Sequence, residues 1–155
     1  MADEIADRIA LQERFNRFAD ALDRKQWDLL DGFFTDDAVG EFKDRAGTMD
    51  FEITGADNLT GFARKMIGSD EIVTQHLMGN FSATIDGDQA FATVRMRNYH
   101  HGVGPRAGLS QESVGHYAGR FRRTDAGWQA YWWQEEIYIN LGDPALFAAE
   151  IGNAG

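Results

Sequence analysis

The spacing of apolar residues changes at Glu71, and that change constrains the fold more than any other feature of the chain. Before it, apolar residues recur every three or four positions; after it they alternate, which is the period of a strand with one face buried. Ile72–Ile85 and Gln89–His101 flank Asp86-Gly87, and an Asp-Gly pair supplies the positive torsions of a two-residue hairpin turn. Glu112–Arg123 and Trp128–Asn140 repeat the arrangement around Thr124–Gly127. The glycine-bearing stretch Gly102–Gln111 reads as a mobile connection or lid, without the strand-to-helix context of a phosphate loop.

The first part of the chain reads as helical. Ile5, Ile9, Leu11, Phe15, Phe18 and Leu22 form an apolar stripe over roughly residues 3–22. A second, short helix is expected over 23–34, where Trp27, Leu30 and Phe33/Phe34 recur at helical spacing. A short strand at Val39–Phe42, a polar loop over 43–50 and a third helix at Ala56–Met66 follow, and Asp143-Pro144 opens a C-terminal helix or tail. Helices followed by long antiparallel strands give an α+β fold, a single domain over 1–155 in which the helices cover one face of a curved sheet. A bent sheet closed in this way is a cone, which is a natural place for a small-molecule pocket.

Composition narrows the function. A formal charge of −10 and a pI near 4.7 disfavour nucleic acid and anionic membranes as partners. With no cysteine, disulfides, thiolate metal sites and Cys nucleophiles are excluded. The N-terminus is charged from its third residue and no stretch is long and apolar enough to span a bilayer, so a cytoplasmic location is expected.

Alternation assigns the candidate site residues to sheet faces. Thr74, His76, Met78 and Asn80 share one face of the first long strand; Met96, Asn98 and His100 share one in its partner, and Val114, His116, Ala118 and Arg120 in the next. His100 and His101 must point oppositely. Asp23 follows the apolar stripe, where a carboxylate can look under the helix and orient His76 as a general base; the competing readings are an N-cap of the second helix and a satisfied strand histidine. Phe18, Trp27, Met78, Met96, Asn98, His116 and Tyr117 are the candidate pocket residues, although alternation sets Tyr99 and Tyr117 opposite His100 and His116 unless a bulge intervenes. A metal site from His76, His100, His116 and Asp23 lacks any tight ligand spacing. Tyr131-Trp132-Trp133 reads as core and dimer surface, and Arg95, Arg97, Arg120, Arg122 and Arg123 as a band paired with Glu135, Glu136 and other carboxylates.

Read in order, Ala21-Leu-Asp23-Arg-Lys-Gln-Trp27-Asp28, Phe33-Phe34-x-Asp36-Asp37-Ala38, Thr74-Gln75-His76-x-x-Gly79-Asn80, Asp86-Gly87-Asp88-x-Ala90, Gly115-x-Tyr117 and Asp125-Ala-Gly127-Trp128 resemble the SnoaL-like branch of the nuclear transport factor 2-like superfamily. The resemblance runs through roughly residues 5–140 and is greatest to the scytalone dehydratase, bile-acid 7α-dehydratase and hexachlorocyclohexane dehydrochlorinase group. It implies a cystatin-like cone, no cofactor and no metal, a small hydrophobic and cyclic substrate, and a homodimer or higher homo-oligomer. It further implies a lyase or isomerase in which Asp23 orients His76, the acid/base, and His100 donates to a substrate oxygen or protonates a departing hydroxyl. Phe18 and Leu22 stand where two of these enzymes carry tyrosines. A non-catalytic ligand holder or scaffold, and a partner subunit of a larger enzyme, are the alternatives for this fold.

Overall fold

The computed structural model describes residues 4–147. In chain order it contains α1 (Glu4–Arg24), a 3-10 turn (Trp27–Leu30), β1 (Phe34–Asp44), β2 (Asp50–Thr54), α2 (Ala56–Ile67), β3 (Ile72–Asp86), β4 (Gln89–Gly102), a 3-10 turn (Gly104–Arg106), β5 (Ser110–Thr124) and β6 (Gly127–Gly142). The strands form one curved sheet in the order β2-β1-β6-β5-β4-β3. All neighbours are antiparallel except β1 and β6, so the fold is α+β with a mixed sheet. A helical turn begins at Ala145, its Asp143 carboxylate accepting the Ala145 N–H; the rest of the expected C-terminal helix or tail lies outside the described residues.

Helix α1 buries Asp7, Leu11, Phe15, Phe18, Ala21 and Leu22, a stripe of three- and four-residue steps. Ile5 and Ile9 lie off it and are exposed, because Ile9 and Leu11, two apart, cannot share a helix face. The stripe meets the concave side of the sheet around Trp133, whose ring centre lies 4.7 Å from Phe18 and 5.4 Å from both Phe15 and Phe33. Asp7 fixes the other end of the helix: Arg123 Nη1 and Nη2 donate to its two oxygens at 2.9 and 2.8 Å, and Trp128 Nε1 donates at 3.2 Å. That guanidinium holds the Asp7 carboxyl below its ordinary range.

Several expectations are corrected. The second helix is only the 3-10 turn, because Gly32 (φ +67°) ends it and Phe33 and Phe34 are both buried, as an extended chain between two layers allows. Strand β1 accordingly starts at Phe34, and the expected loop shrinks to a turn held by Asp44, which accepts the N–H and hydroxyl of Thr48, before the short edge strand β2. The connection after β4 is pinned and not a free lid: Gly102 N–H donates to Leu109 O, Val103 N–H to Glu71 O, and buried Arg106 reaches Glu71 at 2.9 Å and Leu146 O at 3.1 Å.

Among the described residues the β1–β6 ladder shifts register between Phe34 and Val39, and three further bulges turn side chains between faces. The first spans Gly79–Ser82, so the buried parity of β3 passes from His76 to Phe81 and Ala83, and Asn80 (φ +51°) is exposed and off the His76 face. The two others lie in the β5–β6 ladder, at Arg120/Phe121 and Val114/Gly115. They switch the inward residues of β6 from Trp128 and Ala130 to Trp133, Glu135 and Ile137, and then to Asn140. At the second, a Cβ on Gly115 would sit 2.0 Å from Glu136 O, so only glycine lets the strands approach there.

Candidate active site

Helix α1 ends in a Schellman closure, with Gln26 N–H donating to Ala21 O at 3.0 Å and Lys25 N–H to Leu22 O at 3.3 Å. The left-handed position this requires is held by Lys25 (φ +55°), whose Nζ donates to Ile72 O at 2.9 Å and to Ser69 O. The last helical turn is thereby tied to the start of β3. Asp23, in that turn, accepts the backbone N–H of His76 on both oxygens at 2.9 Å and lies 2.6 Å from His76 Nδ1. It therefore does not cap the following 3-10 turn, whose N-cap position is Gln26. A carboxylate at Nδ1 makes that nitrogen the protonated one, which leaves Nε2 as the basic nitrogen of a side chain that lines a cavity. The Thr74 hydroxyl stands 3.3 Å from the same Nδ1.

The cavity encloses about 190 Å³, below the roughly 300–1,000 Å³ of sites for drug-sized ligands. One wall, from α1, the 3-10 turn after it, β1 and α2, is apolar and includes Phe18, Leu30, Phe34, Phe42, Phe62 and Met66. The sheet supplies the polar wall. Register places His76, Asn98, Ser113 and Asn140 in one row across β3, β4, β5 and β6, with Thr74, His100 and Gln111 in the next row.

His100 lies edge-on to His76, ring centres 5.6 Å apart, and is 6% exposed, with its Nδ1 lacking a partner among the described residues. Burial, reinforced by the neighbouring His76, lowers its pKa to about 4, so it is neutral and able to donate a hydrogen bond but not to release a stored proton. Asn98 Nδ2 donates to the Tyr117 hydroxyl at 2.7 Å, and that hydroxyl faces Glu135 Oε1 at 3.4 Å. Burial lifts the Tyr117 phenol well above its ordinary value and the Glu135 carboxyl to about 7.

Of the candidate residues, the structure brings His76, His100, Phe18, Asn98 and Tyr117 to the cavity, with Asp23 behind His76. Tyr117 points inward without a bulge against β4, because register pairs His100 with Gln111 and so aligns odd residues of β5 with even residues of β4. Four pocket assignments are corrected. Trp27 packs half-buried under the Arg64 guanidinium, since the 3-10 turn aims Leu30 inward instead. Met78 and Met96 face each other one inward step beyond the His76–Asn98 pair, toward the turn end, and belong to the core. His116 is on the opposite face, bonded to Tyr138 and Gln134, so it cannot join His76 and His100 around one ion. Among the described residues no group of three His, Asp or Glu side chains is arranged to hold a metal.

A family model described as a SnoaL-like domain matches residues 3–131. The chain belongs to the SnoaL-like family. A relative in Mycobacterium tuberculosis, an uncharacterized protein, is 29% identical over 127 residues, spanning 81% of this chain and 82% of its own. Among solved structures, one from Novosphingobium aromaticivorans described as a candidate aromatic ring hydroxylase superposes with a TM-score of 0.76 at 26% identity, covering 92% of this chain and 96% of that one. Another from the same organism, described as a candidate scytalone dehydratase, superposes at 0.77 and 16% identity, covering 92% of each chain.

In this SnoaL-like cavity, sequence reasoning missed Glu135, Gln111, Ser113 and Asn140. Glu135 was assigned to the arginine band, but Arg97 pairs with Glu112, Arg122 with Asp37, Arg123 with Asp7 and Asp88, and Glu136 with Arg45. Only the parity change at the Arg120/Phe121 bulge turns Glu135 inward, and nothing in the local sequence marks it. Of the aromatic run, Trp133 is core, while Tyr131 and Trp132 are half-buried beside Arg122 and Arg120. Among the described residues no helix is long and apolar enough to cross a membrane.

Proposed function

We propose that the chain is a cofactor-independent lyase, a dehydratase or related eliminating enzyme, or an isomerase, acting on a small, largely hydrophobic, cyclic substrate. The observation that carries this reading is the 2.6 Å contact between Asp23 and His76 Nδ1 at the wall of a cavity with one apolar side. His76 Nε2 takes a carbon-bound proton, and Asp23 holds the ring and stabilises the imidazolium that forms. His100, neutral and in the adjoining row, donates a hydrogen bond to a substrate oxygen. The SnoaL-like family and the fold shared with a candidate scytalone dehydratase support the class of reaction without naming the substrate.

The test is a panel of small cyclic β-hydroxy ketones and unconjugated cyclic enones, followed by the absorbance of the conjugated product. Turnover is expected, and Asp23→Asn or His76→Ala should each lower it by about 10²–10⁴-fold, the contribution of a positioned general base. Full rates in both variants, or ligand binding with no turnover of any member, would return the cavity to a holder. A homodimer through the convex sheet face, where Leu77, Ile139 and Leu141 are exposed, accompanies this proposal. Sedimentation of the wild type and of Leu77→Glu checks it; a dimer unaffected by the substitution places the interface elsewhere.

A further inference from the structure

A half-buried carboxyl group that lines a ligand cavity with no cation beside it among the described residues calls for an explanation. Glu135 is such a group: the Tyr117 hydroxyl is its polar neighbour, and among the described residues Arg45, Arg97, Arg122 and Arg123 pair with other carboxylates. It lines the cavity, so the surface it retains is open to a ligand. The titratable groups around this cavity are His76 on β3, His100 on β4, Tyr117 on β5 and Asp23 on α1 behind His76; the lining contributed by β1 and α2 carries no charge.

Tyr117 has one proton and Asn98 Nδ2 already donates to its oxygen, so that proton points to Glu135 when Glu135 is ionised. When Glu135 is protonated, the carboxyl becomes a donor. Asn98, 2% exposed with its Oδ1 lacking a partner among the described residues, has the spare acceptor with which the Asn98–Tyr117 bond can reverse. The chain Asn98–Tyr117–Glu135 thus tolerates either protonation state.

We infer that Glu135, on β6, is the acid of this cavity, presenting its proton to an oxygen of the bound molecule while His76 acts as base from β3 of the same sheet wall, and that the site selects oxygen-bearing rings over hydrocarbon ones. This rests on the elimination chemistry proposed above. For loss of water, the C–H bond breaks and its proton goes to His76 Nε2, its electron pair forms the new carbon–carbon π bond, and the C–O bond breaks with its pair staying on oxygen. The Glu135 proton then completes a water molecule. His76 is left as imidazolium and Glu135 as carboxylate, and transfer of one proton from the first to the second through solvent restores the starting state. Burial supports the acid role by raising Glu135 to about 7, and by lowering His100 to about 4 it leaves His100 without a stored proton to give.

Acid and base can be told apart without turnover. Acetophenone has a carbonyl that only accepts hydrogen bonds, and isopropylbenzene is of similar size without it. If the protonated carboxyl is the binding form, the acetophenone Kd of the wild type should rise about tenfold between pH 6 and pH 8, as the protonated fraction falls, and isopropylbenzene should bind more weakly with little pH dependence. Glu135→Gln, a permanent donor, should bind acetophenone with a flat pH profile, whereas His76→Gln should keep the wild-type profile. A slope that survives in Glu135→Gln, one that disappears in His76→Gln, or absence of saturable acetophenone binding overturns the assignment. Because no step of this assay uses the base, loss of the elimination reading in the Asp23 and His76 variants would be recorded separately.

Discussion

At the scale of single residues, the site depends on one strained position. Lys25 occupies a left-handed conformation that costs a non-glycine residue about 1 kcal/mol, and its ammonium offsets this by binding two carbonyls at the start of β3. Glycine would remove the strain and the bonds together; alanine would keep the strain and lose the bonds. Lys25→Ala should therefore destabilise the protein by about 1–3 kcal/mol and Lys25→Gly by less, with the order read from urea midpoints. Equal losses would mean that the Nζ bonds contribute and the backbone strain does not. From spacing alone Asp23 also reads as an N-cap and His76 as a satisfied strand histidine, and it is the family resemblance in the order of the motifs that singles the two out as a pair. Lys25 was not legible in the sequence, since positive φ is ordinarily marked by glycine or asparagine.

At the scale of elements, the hairpins and the first helix follow from local pattern, while the polar wall of the cavity follows from bulges. Alternation along β6 predicts one inward parity, yet three different stretches of that strand face the cone because two extra residues are accommodated against β5. Bulges are set by contacts between strands distant in sequence, so a single-sequence reading placed Glu135 outside and left Asn140 unassigned. The failed readings of Trp27 and His116 have related causes, the first from a 3-10 turn in place of a helix and the second from inter-strand register that no local period specifies. Gly115 is the residue that admits the second bulge. Gly115→Ala must push a methyl group into the Glu136 carbonyl, and a loss of about 1–3 kcal/mol is expected in thermal unfolding. Wild-type stability in that variant would show that the strands can separate there at no cost.

At the scale of the whole molecule, the cavity leaves a signature in the dependence of stability on pH. Glu135 has a folded pKa of about 7 against an ordinary 4.5, so between these values the folded chain keeps a proton that the unfolded chain has released. Its contribution to stability is fully present below pH 4.5 and falls as pH rises to about 7. His100 has a folded pKa of about 4 against an ordinary 6.5, so the unfolded chain takes a proton that the folded one refuses. Its contribution is present above pH 6.5 and is lost as pH falls to about 4. Each displacement corresponds to on the order of 3 kcal/mol, with opposite sign over nearly the same interval. The wild type should therefore change little in unfolding free energy between pH 4.5 and 6.5. Removing one partner exposes the other: Glu135→Gln should gain stability steadily as pH rises through that interval, and His100→Gln should lose it. Urea unfolding at pH 4.5, 5.5, 6.5 and 7.5 measures all three profiles. If the two variants run parallel to the wild type, the cavity is wetter than its geometry implies, and neither group is held away from its ordinary charge.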